Sequence, residues 1–390
     1  MIDLDRAQAL ILANVRPLGA ERVPARAAMG RVLARDLFAR EALPAFEHSA
    51  MDGYAIELDT PGDARTVLEE SRAGGPTPPP LARGTAMRIF TGAPTPVGTH
   101  AVVMQENVSR EGDRLVIREL PKAGANIRAR GVDVAEGALC IPRGTRLGPQ
   151  HLPLLLTFGE LEPQVVRRPV VTVLATGDEL RAPGDPPRAG TIVETNGPTI
   201  AAFAEAAGAV ARVLPIAADE PVALRAAVEE ALANADVVFT IGGVSVGDHD
   251  LVRPTLEAVG VTLDFHKVAL KPGKPIAFGR RGSTFVLGLP GNVVSAAITY
   301  LLFGAPLLAA LSGVAHPLPV PRRMRLGAAV KHQPGRTELV RARVEGDSVV
   351  PVTSQASGSI VSLGLAEVVI VVPKESEGLA AGETVDVLFL

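Results

Sequence analysis

Cysteine is almost missing from this sequence: Cys140 is the only one in 390 residues. That excludes an intrachain disulfide and fits a reducing compartment, so a cytoplasmic location is the expectation. Cys140 lies in the apolar β-type stretch Leu139–Ile141, which reads as core rather than as a nucleophile's setting. An excess of basic residues is also lacking. There are 39 Lys and Arg against 42 Asp and Glu, a formal charge of −3, so no nucleic-acid footprint is expected. The start, Met1–Arg6, has no basic region followed by an apolar core and does not read as a signal peptide. The chain reads as having no run of about 18 uncharged apolar residues, so no membrane span is expected. Several chemistries drop out by missing motifs. The seven histidines show neither H-E-x-x-H nor Cys-His zinc spacing. There is no G-x-x-x-x-G-K-[ST] phosphate loop and no G-x-G-x-x-G to hold a nicotinamide cofactor.

What is present is a globular composition, 47% hydrophobic, with room for two to four domains. Four regions differ in pattern. Residues 1 to about 41 read as helical, from the spacing of Leu4, Ala7, Leu10, Ile11 and Val15. Residues 42–130 are rich in Gly and Pro, with short β-type runs such as Ala101–Met104 and Leu115–Ile117. A stretch around Gly131–Gly148 then leads to an apolar helix at Leu152–Phe158. From 168 to 315 apolar strands alternate with helices: strands Val170–Leu174, Val210–Pro215, Val237–Ile241 and Thr284–Leu287, helices Pro198–Ala207, Pro221–Ala233 and Val293–Phe303. That alternation predicts a doubly wound α/β domain, its parallel sheet covered on both faces. From 316 to 390 a period of two, as at Glu338–Val344 and Glu383–Leu388, predicts a small all-β domain or barrel.

In an open parallel sheet ligands bind beyond the carboxyl ends of the strands. Three strands end there in glycine-bearing loops: Thr176–Glu179, Gly242–Asp250 and Gly288–Asn292. One such loop could be merely a tight turn. Three on one edge point to close backbone approach to an anionic ligand. Asp178, Glu179, Asp219, Asp248 and Asp250 converge on the same edge, which suits Mg²⁺ shared with phosphate oxygens. Lys267, Lys271 and Lys274, held by Pro272, Gly273 and Pro275, look like an oxyanion clamp.

These residues resemble a known family, the molybdopterin molybdenumtransferases, bacterial relatives of the gephyrin C-terminal region. The resemblance runs almost end to end. It rests on Ser49–Ala55, Ile89–Pro94, Ala101–Glu106, Thr176–Leu180, Thr195–Asn196, Gly242–Gly247, Lys271–Pro275 and Leu289–Asn292. It implies four domains: an elongated helical dimerisation domain (1–41 plus 131–167), a β-rich insert (42–130), the α/β molybdopterin-binding domain (168–315) and a C-terminal β-barrel (316–390). It implies insertion of molybdate into adenylylated molybdopterin with Mg²⁺-dependent release of AMP. Carried over by position, Asp219, Asp250 and Glu179 would organise Mg²⁺ and phosphate. Lys267, Lys271 and Lys274 would bind oxyanion, and Arg341 and Ser357 would complete that pocket. Gly243, Ser245, Pro290, Gly291 and Asn292 would shape the loops over the ligand. Asp52, Thr91 and Asp133 would reach the site across a homodimer interface, or serve as turn, cap or interface residues. An adenylyltransferase of the same pathway is the implied partner.

The sequence departs from the family at Glu47 and His48, where an acid and Asn are usual, and at His100, usually an acid. It also carries Val293 where a proline usually follows Leu-Pro-Gly-Asn. Two other functions share parts of this pattern. The adenylyltransferase normally lacks the first, second and fourth regions. A gephyrin-like scaffold would not require the full acid and lysine set.

Overall fold

Six strands form the central sheet in the order Val210–Val213, Val170–Ala175, Val237–Ile241, Thr284–Leu289, Pro275–Arg281, Thr262–Lys267. The first four are parallel to one another, as their apolar runs predict. Pro275–Arg281 alone runs against the others, antiparallel both to Thr284–Leu289, with which it forms a hairpin, and to Thr262–Lys267. Helices Asn196–Ala206 and Val293–Leu311 close one face around Phe239, Ile241 and Leu287, and Pro221–Ala233 with Val252–Ala258 closes the other around Leu174, Val238 and Val286. Each fully buried side chain of this kind contributes about 1.5–3 kcal/mol.

This computed structural model describes residues 1–243 and 251–390. Two units cluster separately: Met1–Arg35 with Arg143–Gln150 and Glu162–Leu390, and Asp36–Pro142 with His151–Leu161. In the larger unit the first helix covers only Leu4–Ala13, burying Ala7 and Ile11. The helical reading of residues 1–41 is therefore corrected beyond Ala13. Pro17 and Pro24 cannot continue a helix, and Ala20–Arg22 pairs instead with Gln164–Val166.

A second correction concerns apolar length. Val293–Leu311 is a 19-residue helical stretch long and apolar enough to cross a membrane, contrary to the expectation from sequence, and 72% of it is buried inside the protein. Its apolar surface packs on the sheet and on the first helix. Ser295, Thr299 and Tyr300 interrupt the aliphatic residues, but no charge does.

At the C-terminus, Thr337–Glu345, Ser348–Pro351, Arg322–Leu326, Thr384–Phe389 and Val368–Val372 close into a five-stranded barrel, since the last also pairs with the first. Alternation along these strands puts Val340, Ala342, Val349, Val368, Ile370 and Val387 in its core. The short strand Leu270–Lys271 lies parallel to Thr337–Glu338, which joins the lysine loop to the barrel.

The smaller unit holds its own six-stranded sheet. Within it Gly53–Ile56 pairs on one side with Thr85–Ile89 and on the other with Ala101–Met104. Three strings far apart in sequence are thus adjacent strands. A buried carboxylate, Glu57, ties the next loop: it accepts from the amides of Asp59 (2.6 Å), Thr60 (2.8 Å) and Gly84 (2.9 Å). The buried Arg65 lies beside it at 3.7 Å. Burial alone would raise the Glu57 pKa, but the hydrogen bonds from Thr60, Gly84 and Asp59 bring it down to about 2. A depressed carboxylate stabilises fully above its unfolded pKa and loses that contribution as pH falls toward the folded one. Stability of this unit should therefore decline between pH 4.5 and 2. Glu57→Gln should cost about 2 kcal/mol at neutral pH, discounted for solvent screening, and flatten that acid limb. Unfolding curves against pH test this, and an unchanged acid limb in the variant would contradict it.

Candidate active site

The chain leaves Val170–Ala175 toward Val210–Val213 on one side, while Val237–Ile241 lies on the other. This reversal splays the loops after Ala175 and Ile241 apart, and the crevice opens between them. A cleft of ≈ 700 Å³ occupies it, a size that suits a nucleotide or cofactor. Gly242 sits at φ +91°, and a Cβ there would lie 2.8 Å from the Thr176 carbonyl oxygen. Only glycine lets these two loops meet at the cleft floor.

Glu179, Asp219, Gly243, Pro290, Gly291 and Asn292 all line this cleft. Asp219 is exposed, and its amide donates to Asp178 Oδ1 at 3.1 Å. Asp178 thus fixes the Asp219 backbone. Pro290–Asn292 is the turn between the strand ending at Leu289 and the helix starting at Val293, which forms without the family's proline. Asn196 Nδ2 donates to the Gly291 carbonyl at 2.7 Å, pinning that turn across the cleft. Ser245, Asp248 and Asp250 lie outside the described residues. Glu194 is a lining residue that the sequence pattern did not single out. It is buried, and its Oε1 accepts from the Gly197 amide at 2.8 Å at the start of the helix. The sequence signal was an acid at a helix N-terminus, directly before Thr195–Asn196.

A second cavity of ≈ 280 Å³ adjoins the first and shares Pro275 with it. Lys271, Lys274 and Ser357 line it, together with Arg336 and Glu338, which the sequence pattern also left unmarked. Gly273, at φ +110°, lets the lysine turn lie against the helix: a Cβ there would be 2.5 Å from Thr299 Cγ2. Lys267 and Arg341 line neither cavity. Lys267 ends the edge strand, and its carbonyl accepts from the Ile2 amide at 3.1 Å. Arg341 is fully buried, and its Nη2 donates to the carbonyls of Ser354 (3.0 Å) and Ala356 (3.1 Å). It straps the segment that carries Ser357. Burial lowers its pKa.

Asp52, Thr91 and Asp133 belong to the smaller unit. Asp52 Oδ1 accepts from the Thr91 amide at 2.8 Å and the Thr91 hydroxyl at 2.7 Å. Those bonds, the amide first, hold its pKa below the usual carboxylate range. Asp133 pairs with Arg128. Among the described residues no group of three or more His, Cys, Asp or Glu is arranged to hold a metal ion.

A doubly wound sheet with an acid-bearing cleft at its switch point and a lysine- and arginine-lined cavity beside it is the architecture of an α/β protein with a two-part pocket. The comparisons with known proteins narrow this to one family. Residues 2–159 match the MoeA N-terminal region (domains I and II), 172–310 match a domain described as "Probable molybdopterin binding domain", and 323–390 match the MoeA C-terminal region (domain IV). The molybdopterin molybdenumtransferase of Haemophilus influenzae is 39% identical over 317 residues, 80% of this chain and 78% of that protein. Molybdopterin molybdenumtransferase 2 of Mycobacterium tuberculosis is 32% identical over 396 residues, covering 98% of this chain and 97% of its own. The crystal structure of the molybdopterin biosynthesis MoeA protein from Pyrococcus horikoshii OT3 superposes with a TM-score of 0.88 at 29% identity, covering 100% of both chains. The chain belongs to the molybdopterin molybdenumtransferase (MoeA) family of enzymes.

Proposed function

We propose that this enzyme transfers molybdenum from molybdate to molybdopterin, taking the adenylylated pterin as substrate and releasing AMP. The observation that carries the reading is the adjacency of two unlike cavities. An acid-bearing cleft of ≈ 700 Å³ meets a lysine- and arginine-lined cavity of ≈ 280 Å³ at Pro275. The large one suits the nucleotide and its phosphates, the small one a tetrahedral oxyanion. Glu179 and Asp219 would hold Mg²⁺, with Asp250 as a third acid. Two carboxylates suffice for this ion, which completes its shell with phosphate oxygens and water. Bound there, the ion would neutralise charge developing on the phosphoanhydride. The turn Pro290–Asn292, held by Asn196, positions the nucleotide. Lys271, Lys274, Arg336 and Ser357 bind molybdate. Ser245 and Gly243 supply loop contacts to phosphate. We further propose that the active form is a homodimer in which Asp52, Thr91 and Asp133 of a second copy complete the site. The substrate would then come from an adenylyltransferase in the same cytoplasmic pathway.

Purified protein given adenylylated molybdopterin, Mg²⁺ and molybdate should release AMP in a molybdate-dependent manner. AMP release that ignores molybdate would refute the proposal. Formation of adenylylated product from ATP and metal-free molybdopterin would assign the adenylyltransferase reaction instead.

A further inference from the structure

The small cavity contains a feature that an oxyanion pocket does not need. Among its lining residues three are cations, Lys271, Lys274 and Arg336, and one is a carboxylate, Glu338. A carboxylate repels the anion that the cations attract. Its placement is not incidental. Parallel pairing sets Lys271 opposite Glu338 in register, and Lys271 Nζ lies 2.9 Å from Glu338 Oε1. The other oxygen, Oε2, is 2.8 Å from His332 Nδ1. The His332 side chain is 1% exposed, and its Nε2 is buried without a partner. His332 Nδ1 thus holds one oxygen of Glu338 from the buried side and leaves the other turned toward Lys271.

We infer that Glu338 sets the strength with which this cavity holds an oxyanion, by standing as a built-in competitor for Lys271. The inference rests on the proposed oxyanion role of the cavity. A cavity lined by three uncompensated cations would hold any tetrahedral dianion tightly. A transferase must instead let its cargo go. With Glu338 in place, Lys271 is shared between a fixed carboxylate and the arriving anion. Coulomb energy scales with the anion's charge, so Glu338 weakens a dianion more than a monoanion of the same shape. The fold effect on the dianion is the square of that on the monoanion.

The test is calorimetric titration of the full chain with sodium molybdate and, separately, sodium perrhenate, a tetrahedral anion of single charge. Glu338→Gln keeps a hydrogen-bonding oxygen for Lys271 but removes the charge. It should tighten molybdate about tenfold and perrhenate about threefold, the scale of one partly screened charge at cavity distance. Lys271→Met should weaken both anions, because it leaves Glu338 unopposed. The double variant K271M/E338Q restores the wild-type net charge with no unpaired carboxylate, and should bind molybdate within about threefold of wild type. This rescue also serves if E338Q alone folds poorly. Equal or weaker molybdate binding by E338Q, or a double variant no better than K271M, overturns the inference and leaves the oxyanion role of the cavity standing. A wild-type protein that binds neither anion overturns both.

Discussion

Asp219→Ala should lower kcat for molybdate-dependent AMP release by about a hundred- to a thousandfold, the usual effect of deleting one preorganised group that stabilises charge at the reacting centre. Asp219 lines the large cleft from the loop beyond Val210–Val213, and its side chain is exposed rather than packed. Unfolding free energy should therefore move by no more than about 0.5 kcal/mol. That combination, a large kinetic loss on an unchanged fold, separates chemistry from scaffolding. Asp178→Asn is the matched control. Asp178 Oδ1 accepts the Asp219 amide at 3.1 Å, and an asparagine oxygen can still accept it, so the loss should be much smaller. Added Mg²⁺ should partly restore Asp219→Ala if the missing carboxylate held the ion. Turnover within a few-fold of wild type, or a variant that melts early, would remove Asp219 from the proposed metal site.

The sheet edge that carries Asp219 is legible in the sequence because its cause is local. Continuous runs such as Val237–Ile241 can only be buried strands, and helices between parallel strands force every following loop to the same edge. Pro221–Ala233 is legible to the residue because Pro starts it and Asn234 follows it. Other features depend on contacts that no window of sequence contains. The register that sets Lys271 opposite Glu338 joins two regions with different periodicities, so Glu338 reads as one more residue of a strand. Arg336 sits just before that strand and reaches the cavity only because the strand docks beside Leu270–Lys271. The three lysines look equivalent in a loop of eight positions. The fold distinguishes them, since Lys267 closes the edge strand against Pro275 while Lys271 and Lys274 lie beyond it. The helical pattern after Ala13 fails for the opposite reason. Apolar spacing persists, but the prolines at 17 and 24 prevent the backbone from following it.

Replacing Arg341 should separate packing from positioning in the barrel. Its fully buried guanidinium has no carboxylate partner among the described residues, and its Nε and Nη1 lack acceptors. Such a charge is costly to bury, so its two bonds to the Ser354 and Ala356 carbonyls must offset that cost. The backbone contributes as well: Arg341 N–H donates to Gln355 Oε1 at 3.0 Å, and Gln355 Nε2 returns a bond to Arg341 O at 2.9 Å. Arg341→Ala removes the two side-chain bonds and opens a void, and should cost about 3–4 kcal/mol. Arg341→Met fills most of the volume and removes the orphaned charge, and should cost only about 1 kcal/mol. Both variants release the Ser354 and Ala356 carbonyls, so Ser357 loses its fixed place on the small cavity. Molybdate affinity should fall by about tenfold or more in each, the equivalent of roughly 1.4 kcal/mol. Arg341→Lys should not rescue it, because one ammonium lacks the planar fork that bridges two carbonyls. Urea unfolding and molybdate titration of the three variants decide the matter. If Arg341→Met binds molybdate like wild type, Arg341 serves the barrel's packing alone, and the placement of Ser357 needs another cause.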